Sequence, residues 1–277
     1  MADAASRADI LQPPQLPYAT RLFNWLCLLV LVAVLAVSWR GAQMGDLHVL
    51  IDKSGNTATY LKDYLKPNFG NVADFWNSDL WSYIQEMWIT IQTAIWGTVL
   101  SIVLAVPLSM MCSSNIAPQW LVQPMRGVMN ILRAFPELVL GTAFLVAVGP
   151  TPLAGVLALA MNNTGVLAKL FSEAVEAIET APVEGVRATG GSRLHEIIWG
   201  VIPQVGPLWT SFALYRFESN ARSATVLGLI GAGGIGRILF DNLNAFDYAR
   251  VSAIAIVIVV AVTGIDILSQ QIRKRLL

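Results

Sequence analysis

LCLLVLVAVLAV at residues 26–37 and AIAIVIVVAV at 253–262 carry no charge and no strongly polar side chain. Each lies inside an apolar run, 22–39 and 251–268, long enough to cross the hydrocarbon core of a bilayer, which takes about 20 residues. Working outward, four more runs of this kind emerge at 87–112, 125–148, 153–170 and 208–230. In lipid every backbone N–H and C=O must be satisfied internally, so such runs are helices. The composition agrees: 55% of the 277 residues are hydrophobic and 13% are charged, against roughly 25% charged in soluble domains. The expectation is an all-α integral membrane protein of about six transmembrane helices. The run at 22–39 exceeds the apolar core of a signal peptide, roughly 7–15 residues, and is read as a retained helix.

Net charge is zero, which leaves no bulk attraction to nucleic acid. Cys27 and Cys112 are far apart and sit in apolar runs, without metal or redox spacing. His48 and His195 fall in loops without ligand partners, so no metal site is expected. There is no Ser–His–Asp set and no paired carboxylate arrangement for catalysis, so an enzyme is not expected.

Six spans put both termini on one side. That side carries Arg7, Arg21, Arg126, Arg133, Lys169, Arg187, Arg193, Arg273, Lys274 and Arg275. The other carries Arg40, Lys53, Lys62, Lys66, Arg237 and Arg250. Cytoplasmic loops are the richer in Lys and Arg, so both termini are expected in the cytoplasm. The organisation that follows is a tail or elbow at 1–20, one membrane domain at 21–277, an external loop at 40–85 and a cytoplasmic loop at 171–207. Trp76 and Trp81 suit an interfacial anchor.

The cytoplasmic loop, SEAVEAIETAPVEGVRATGGSRLHEIIWGVIPQVGPLW at 172–209, reads as helix, break, short helix, break, short helix. Glu173, Glu176 and Glu179 recur at helical spacing. Pro182 suits a first turn. Gly190 and Gly191 suit a helix stop, and Ser192 suits the next N-cap. Pro203 and Pro207 are expected to turn the chain into the fifth span. A protrusion of this kind fits a partner's groove.

Glu184, Arg187 and Gly190 at three-residue steps, then Pro203 thirteen beyond, resemble the E-A-A-x-x-x-G signature of binding-protein-dependent ABC importer permeases. Gly185 and Val186 replace the two alanines, and Gly200 and Ile202 replace the isoleucine and leucine. YRFESNARSATVLGLIGAGGIG at 215–236, EAVEAIE at 173–179 and SQQIRKR at 269–275 are similar to the phosphonate permeases of that class. The resemblance implies a type I (MetI-like) importer transmembrane domain in a bacterial inner membrane. It implies a second copy of the chain, two ABC ATPases holding ATP and Mg, and one soluble substrate-binding protein. The anion it implies is a phosphonate, with phosphite or phosphate as the alternative. It makes Glu184, Gly185, Arg187, Ala188, Gly190, Gly191, Ser192 and Pro203 the ATPase-coupling residues. No cofactor is expected on this chain, which lacks a G-x-x-x-x-G-K-[ST] loop.

Gly231, Gly233, Gly234 and Gly236 spell G-x-G-x-x-G, but no strand precedes them and no βαβ unit surrounds them, as dinucleotide binding requires. The expected reading is an external glycine turn with close packing; the other is an oxyanion held on its amides. Arg216, Glu218 and Arg222 fall in the fifth span, Arg133 and Glu137 in the third, Asn162, Asn163 and Thr164 in the fourth. Intramembrane ions face the bundle interior or a watery cavity. Glu218 and Arg222, four apart, share a face, and Glu137 is the candidate partner of Arg216. Two readings stand side by side: an anion path lined by arginine, or structural ion pairs. For the asparagines, interhelical hydrogen bonding is the stronger reading. Rival classes are a membrane-embedded redox subunit, suggested by the glycine fingerprint, and a passive channel.

Overall fold

A computed structural model describes residues 17–42, 44, 54–70, 76 and 78–276. Most of the expected tail (1–16), His48, Lys53 and parts of the external stretch 40–85 lie outside the described residues. Ten helices follow in order: α1 Tyr18–Gly41, α2 Ser54–Tyr64, α3 Asp79–Cys112, α4 Gln119–Ala134, α5 Glu137–Val148, α6 Pro152–Glu176, α7 Thr180–Ala188, α8 Arg193–Ala232, α9 Ile235–Asn244 and α10 Tyr248–Leu276. There is no strand among the described residues. The chain divides into two units, Met1–Leu61 and Lys62–Leu277; the packed bundle described below belongs to the second.

Among the described residues five helices, α1, α3, α6, α8 and α10, are long and apolar enough to cross a membrane, and α4 with α5 forms a bent pair, a broken span or a re-entrant loop, that brings the number to six if it counts as one span. The expected continuous helix at 125–148 is corrected here: α4 and α5 meet at 84°. The cause is Pro136. Its ring excludes the helical conformation for the residue before it, and Phe135 is accordingly extended at φ −78°, ψ 122°.

α3 is longer than the expected second span. It starts at Asp79, where Ser78 accepts a hydrogen bond from the Trp81 N–H at 3.3 Å, and its 34 residues reach about 51 Å at 1.5 Å per residue. The rings of Trp76 and Trp81 pack edge to face at 4.6 Å. α6 lies against α3, α4, α5 and α8 at the centre of the bundle, and Ala158, Leu159, Leu167 and Phe171 are fully enclosed. Phe171 stacks on Trp209 of α8 at 4.7 Å, and the Trp209 indole N–H donates to the Phe171 carbonyl.

Three further expectations change. The loop at 171–207 is shorter, because α6 runs to Glu176 and α8 already begins at Arg193. Glu173 and Glu176 share the last turns of α6, whereas Glu179 caps α7 and leaves that face. Pro203 and Pro207 do not turn the chain; both lie inside α8. A proline there removes a backbone bond and crowds the carbonyl four residues earlier. α8 absorbs this by widening into a π-helical turn over Glu196–Val201 just before Pro203.

At its far end α8 stops in the glycine turn. Gly231, Gly233 and Gly234 have φ of 106°, 80° and 72°, a region that side chains resist. The turn sits level with Thr90, eleven residues into α3, whose hydroxyl accepts the Ile235 N–H at 2.9 Å. α9 then folds back against α8, and Gly236 lies directly on the α8 backbone at Thr225 and Gly228. Gly236→Ala should therefore destabilise the protein by about 1–3 kcal/mol, as overpacking does. Gly206→Ala, with nothing within 4 Å, should be neutral or slightly stabilising. Thermal unfolding in detergent measures both; Gly236→Ala melting at or above wild type would refute the backbone crossing.

Candidate functional site

Two features collect the polar residues: the α7 protrusion and a charged cavity at the α4–α5 break.

No residue of α7 is buried, and Glu184, Gly185 and Ala188 are exposed. The helix ends at Gly190, φ 82°, with the Gly191 N–H donating back to the Val186 carbonyl at 3.2 Å, a left-handed stop. Ser192 occupies the N-cap position of α8, but its hydroxyl bonds the His195 Nδ1 at 2.7 Å instead of a backbone N–H. The expected side-chain cap is therefore absent. Arg187 reaches both oxygens of Glu196, at 2.8 and 3.0 Å, and that carboxylate holds the guanidinium above its usual range.

The base of the protrusion is bolted to the bundle. Gln204 bonds both the N–H and the C=O of Glu179. Arg193 donates to the Ile116 carbonyl in the α3–α4 turn at 3.1 Å. Glu176 accepts from the Ser114 N–H and pairs with Arg126 of α4. Pro203 lies in α8 directly before Gln204. Glu196 and Gln204 were not singled out from the sequence, and the partners of Glu176 and Arg126 were not foreseen, because these partners lie 9 to 62 residues away.

The cavity holds about 600 Å³ and is lined by Arg133, Glu137, Asn162, Arg222 and Ser223, among others. Four helices supply these groups. Arg133 ends α4, Glu137 begins α5, where an acid complements the helix dipole, and α6 and α8 close the other sides. Asn162 also repairs the break: its amide donates to the Phe135 carbonyl at 2.8 Å. Asn163 does not line the cavity. It is fully buried and donates to Asn220 of α8, which donates to Thr98 of α3, each at 2.8 Å. Thr164 bonds its own helix at Ala160.

Glu218 stands between Arg222, at 3.4 Å, and Arg273 of α10, at 3.0 Å. Arg222 also meets Asp266 of α10 at 3.3 Å. The result is a neutral quartet joining α8 to α10. Asp266 and Arg273 were missed because they lie 44 and 55 residues from their partners. Arg216 does not pair with Glu137. Its Nε is buried without a hydrogen-bond partner. Among the described residues no cluster of three or more His, Cys, Asp or Glu could hold a metal.

The sequence model of the binding-protein-dependent transport system inner membrane component family matches residues 97–277. A putative cryptic phosphonate transport system permease of Escherichia coli strain K12 is 57% identical over 118 residues, 43% of this chain and 97% of that protein. A phosphite transport system permease of Stutzerimonas stutzeri is 36% identical over 230 residues, 83% of this chain and 81% of that protein. Among solved structures, an inward-facing form of the MetNI methionine ABC transporter superposes with a TM-score of 0.63 at 19% identity, covering 72% of this chain and 97% of that one. That likeness establishes the all-helical importer fold.

The stop of α7 yields a test. Gly190→Val places a β-branched residue at positive φ, a local strain of about 1–3 kcal/mol, with nothing within 4 Å to clash. Trypsin cleavage after Arg187 should rise several-fold while the global melting temperature barely moves. Gly190→Asn should fall between, since Asn tolerates this conformation. Equal cleavage in all three proteins would contradict the assigned turn.

Proposed function

This chain belongs to the family of binding-protein-dependent transport system inner membrane components, and we propose that it is the permease subunit of an ATP-driven importer of a phosphorus oxyanion. Phosphonate, phosphite and phosphate are each named for relatives of this chain; phosphonate is the first assignment, with phosphite or phosphate as the alternative. Two copies form the path in the bacterial inner membrane, with both termini in the cytoplasm. Two ABC ATPases bind ATP and Mg below, and a soluble binding protein delivers the anion above. Residues 184–203 dock the ATPase, consistent with an α7 that buries none of its own residues. Nucleotide-driven closure draws the two protrusions together, and α8 carries the motion to the cavity.

The observation that carries this reading is the cavity at the α4–α5 break. A doubly charged anion entering a low-dielectric bundle meets a barrier of several kcal/mol. Arg133 and Arg222 border the cavity and Arg216 lies on the same helix as Arg222; the charge of Arg222 is met by Glu218 and Asp266, so Arg133 and Arg216 lower the barrier. Glu137 and the Glu218 carboxylate temper the positive charge, so the anion is released and not trapped. The redox alternative has no support from the glycine turn, which no strand precedes.

Reconstitution with the ATPase and binding protein of the same transport system tests the reading. ATP-dependent uptake of a phosphonate is expected, and flux that proceeds without ATP would show a channel instead. The cavity offers few neutral polar groups that could discriminate among oxyanions, so selectivity is expected to follow the binding protein. Substituting a phosphite-specific binding protein that still docks should change the preferred anion by about tenfold or more, equivalent to about 1.4 kcal/mol. Selectivity that stays unchanged would place a discriminating site in this chain.

A further inference from the structure

The arginines of α8 are not equivalent. Arg222 is flanked by Glu218 and Asp266, and Glu218 is shared with Arg273. Two cations and two carboxylates close on one another, leaving no net charge and few free donors for a third party. Arg216 is the reverse case. Its Nε is buried with no acceptor, and Glu137 acts on it from a distance without pairing. Buried polar groups nearly always have a partner, so an orphan in the interior asks for an explanation.

Its position supplies one. Seven residues make roughly two helical turns, so Arg216 lies on nearly the same stripe of α8 as Ser223, which lines the cavity. It sits about 10 Å further along the axis, toward the α7 end. Arg222 points about 120° away from that stripe. Along α8 from the cavity toward the protrusion, Arg216 is the next cation, although it does not itself line the cavity. A guanidinium presents a planar fork of N–H donors that matches two oxygens of a tetrahedral oxyanion.

We propose that Arg216 is the cation that contacts the phosphorus oxyanion in transit, on the α7 side of the cavity, while Arg222 is committed to the quartet with Glu218, Asp266 and Arg273. The ligand class is an anion with at least two terminal P–O oxygens. This rests on the reading of the chain as a phosphorus-oxyanion permease.

The test uses the full transporter in liposomes of zwitterionic lipid, with phosphonate and phosphite uptake measured for wild type, Arg216→Gln, Arg216→Lys and Arg222→Gln. Arg216→Gln should lower the uptake rate by about tenfold or more, the loss expected for one charged hydrogen-bonding group. Arg216→Lys should retain an intermediate rate, and Arg222→Gln should be impaired less than Arg216→Gln. Because no protein group accepts from the buried Arg216 Nε, the melting temperature of Arg216→Gln should equal or exceed that of wild type. Uptake by Arg216→Gln within twofold of wild type overturns the inference. So does a lowered melting temperature with dissociation of the two copies, which would make Arg216 an intersubunit contact. A defect that appears only in liposomes containing anionic lipid would assign the guanidinium to a lipid headgroup and also overturns it. A wild-type complex that hydrolyses ATP but moves no phosphorus oxyanion overturns the functional reading itself, and is thereby distinguished from these outcomes.

Discussion

The carbonyl of Phe135 is the point on which the arrangement turns. Pro136 ends α4, and the last carbonyls of an ended helix have no partner of their own. Asn162 supplies the missing donor from α6, and the chain can then leave at 84° as α5. That bend places Arg133 and Glu137 on either side of one cavity and faces them toward α8. Without it, α4 and α5 would form one straight apolar span with no reason to open a polar space. The asparagine is thus structural and functional together, because it makes the broken helix tolerable.

The second determinant is the length of α8. One long helix runs from Arg193 to the break at Gly231 and joins the base of the α7 protrusion to the glycine turn. Trp209 against Phe171, Gln204 on Glu179 and Arg193 on Ile116 fix its lower part to the bundle. The Asn163–Asn220–Thr98 chain and the Glu218 quartet fix its middle. A displacement of α7 has few soft joints in which to dissipate before it reaches the cavity. The π-turn at Glu196–Val201 is where α8 departs from regular geometry before it breaks at Gly231, φ 106°, and π-bulges are frequent at functional sites.

Hydropathy made the number and type of the spans legible, since run length alone decides which segments cross a membrane. The glycine turn was legible too, because positive φ at Gly231, Gly233 and Gly234 within four residues leaves few residues but glycine. The α4–α5 bend was not. Pro136 sits inside an unbroken apolar run, and hydropathy is blind to backbone direction. The prolines of α8 misled in the opposite sense: Pro203 and Pro207 look like breaks, yet a π-turn and tertiary packing keep the helix intact. Local spacing found Glu218 with Arg222 but could not find Asp266 or Arg273, whose approach depends on how α10 packs. The absence of a partner for Arg216 is likewise a tertiary fact, invisible to any pattern along the chain.

The central claim is that the cavity at the α4–α5 break is the aqueous anion path. Ser223→Cys, in a chain whose Cys27 and Cys112 are replaced by serine and alanine, puts a reporter on its wall. The measurement is the rate at which a small anionic, water-soluble thiol reagent modifies that cysteine in the assembled transporter, with and without ATP trapped in the ATPase. The account predicts ready modification, a clear change in rate between the two nucleotide states, and slowing by the transported oxyanion. A cysteine that stays unreactive in both states, or reacts at one rate regardless of nucleotide and oxyanion, would contradict it.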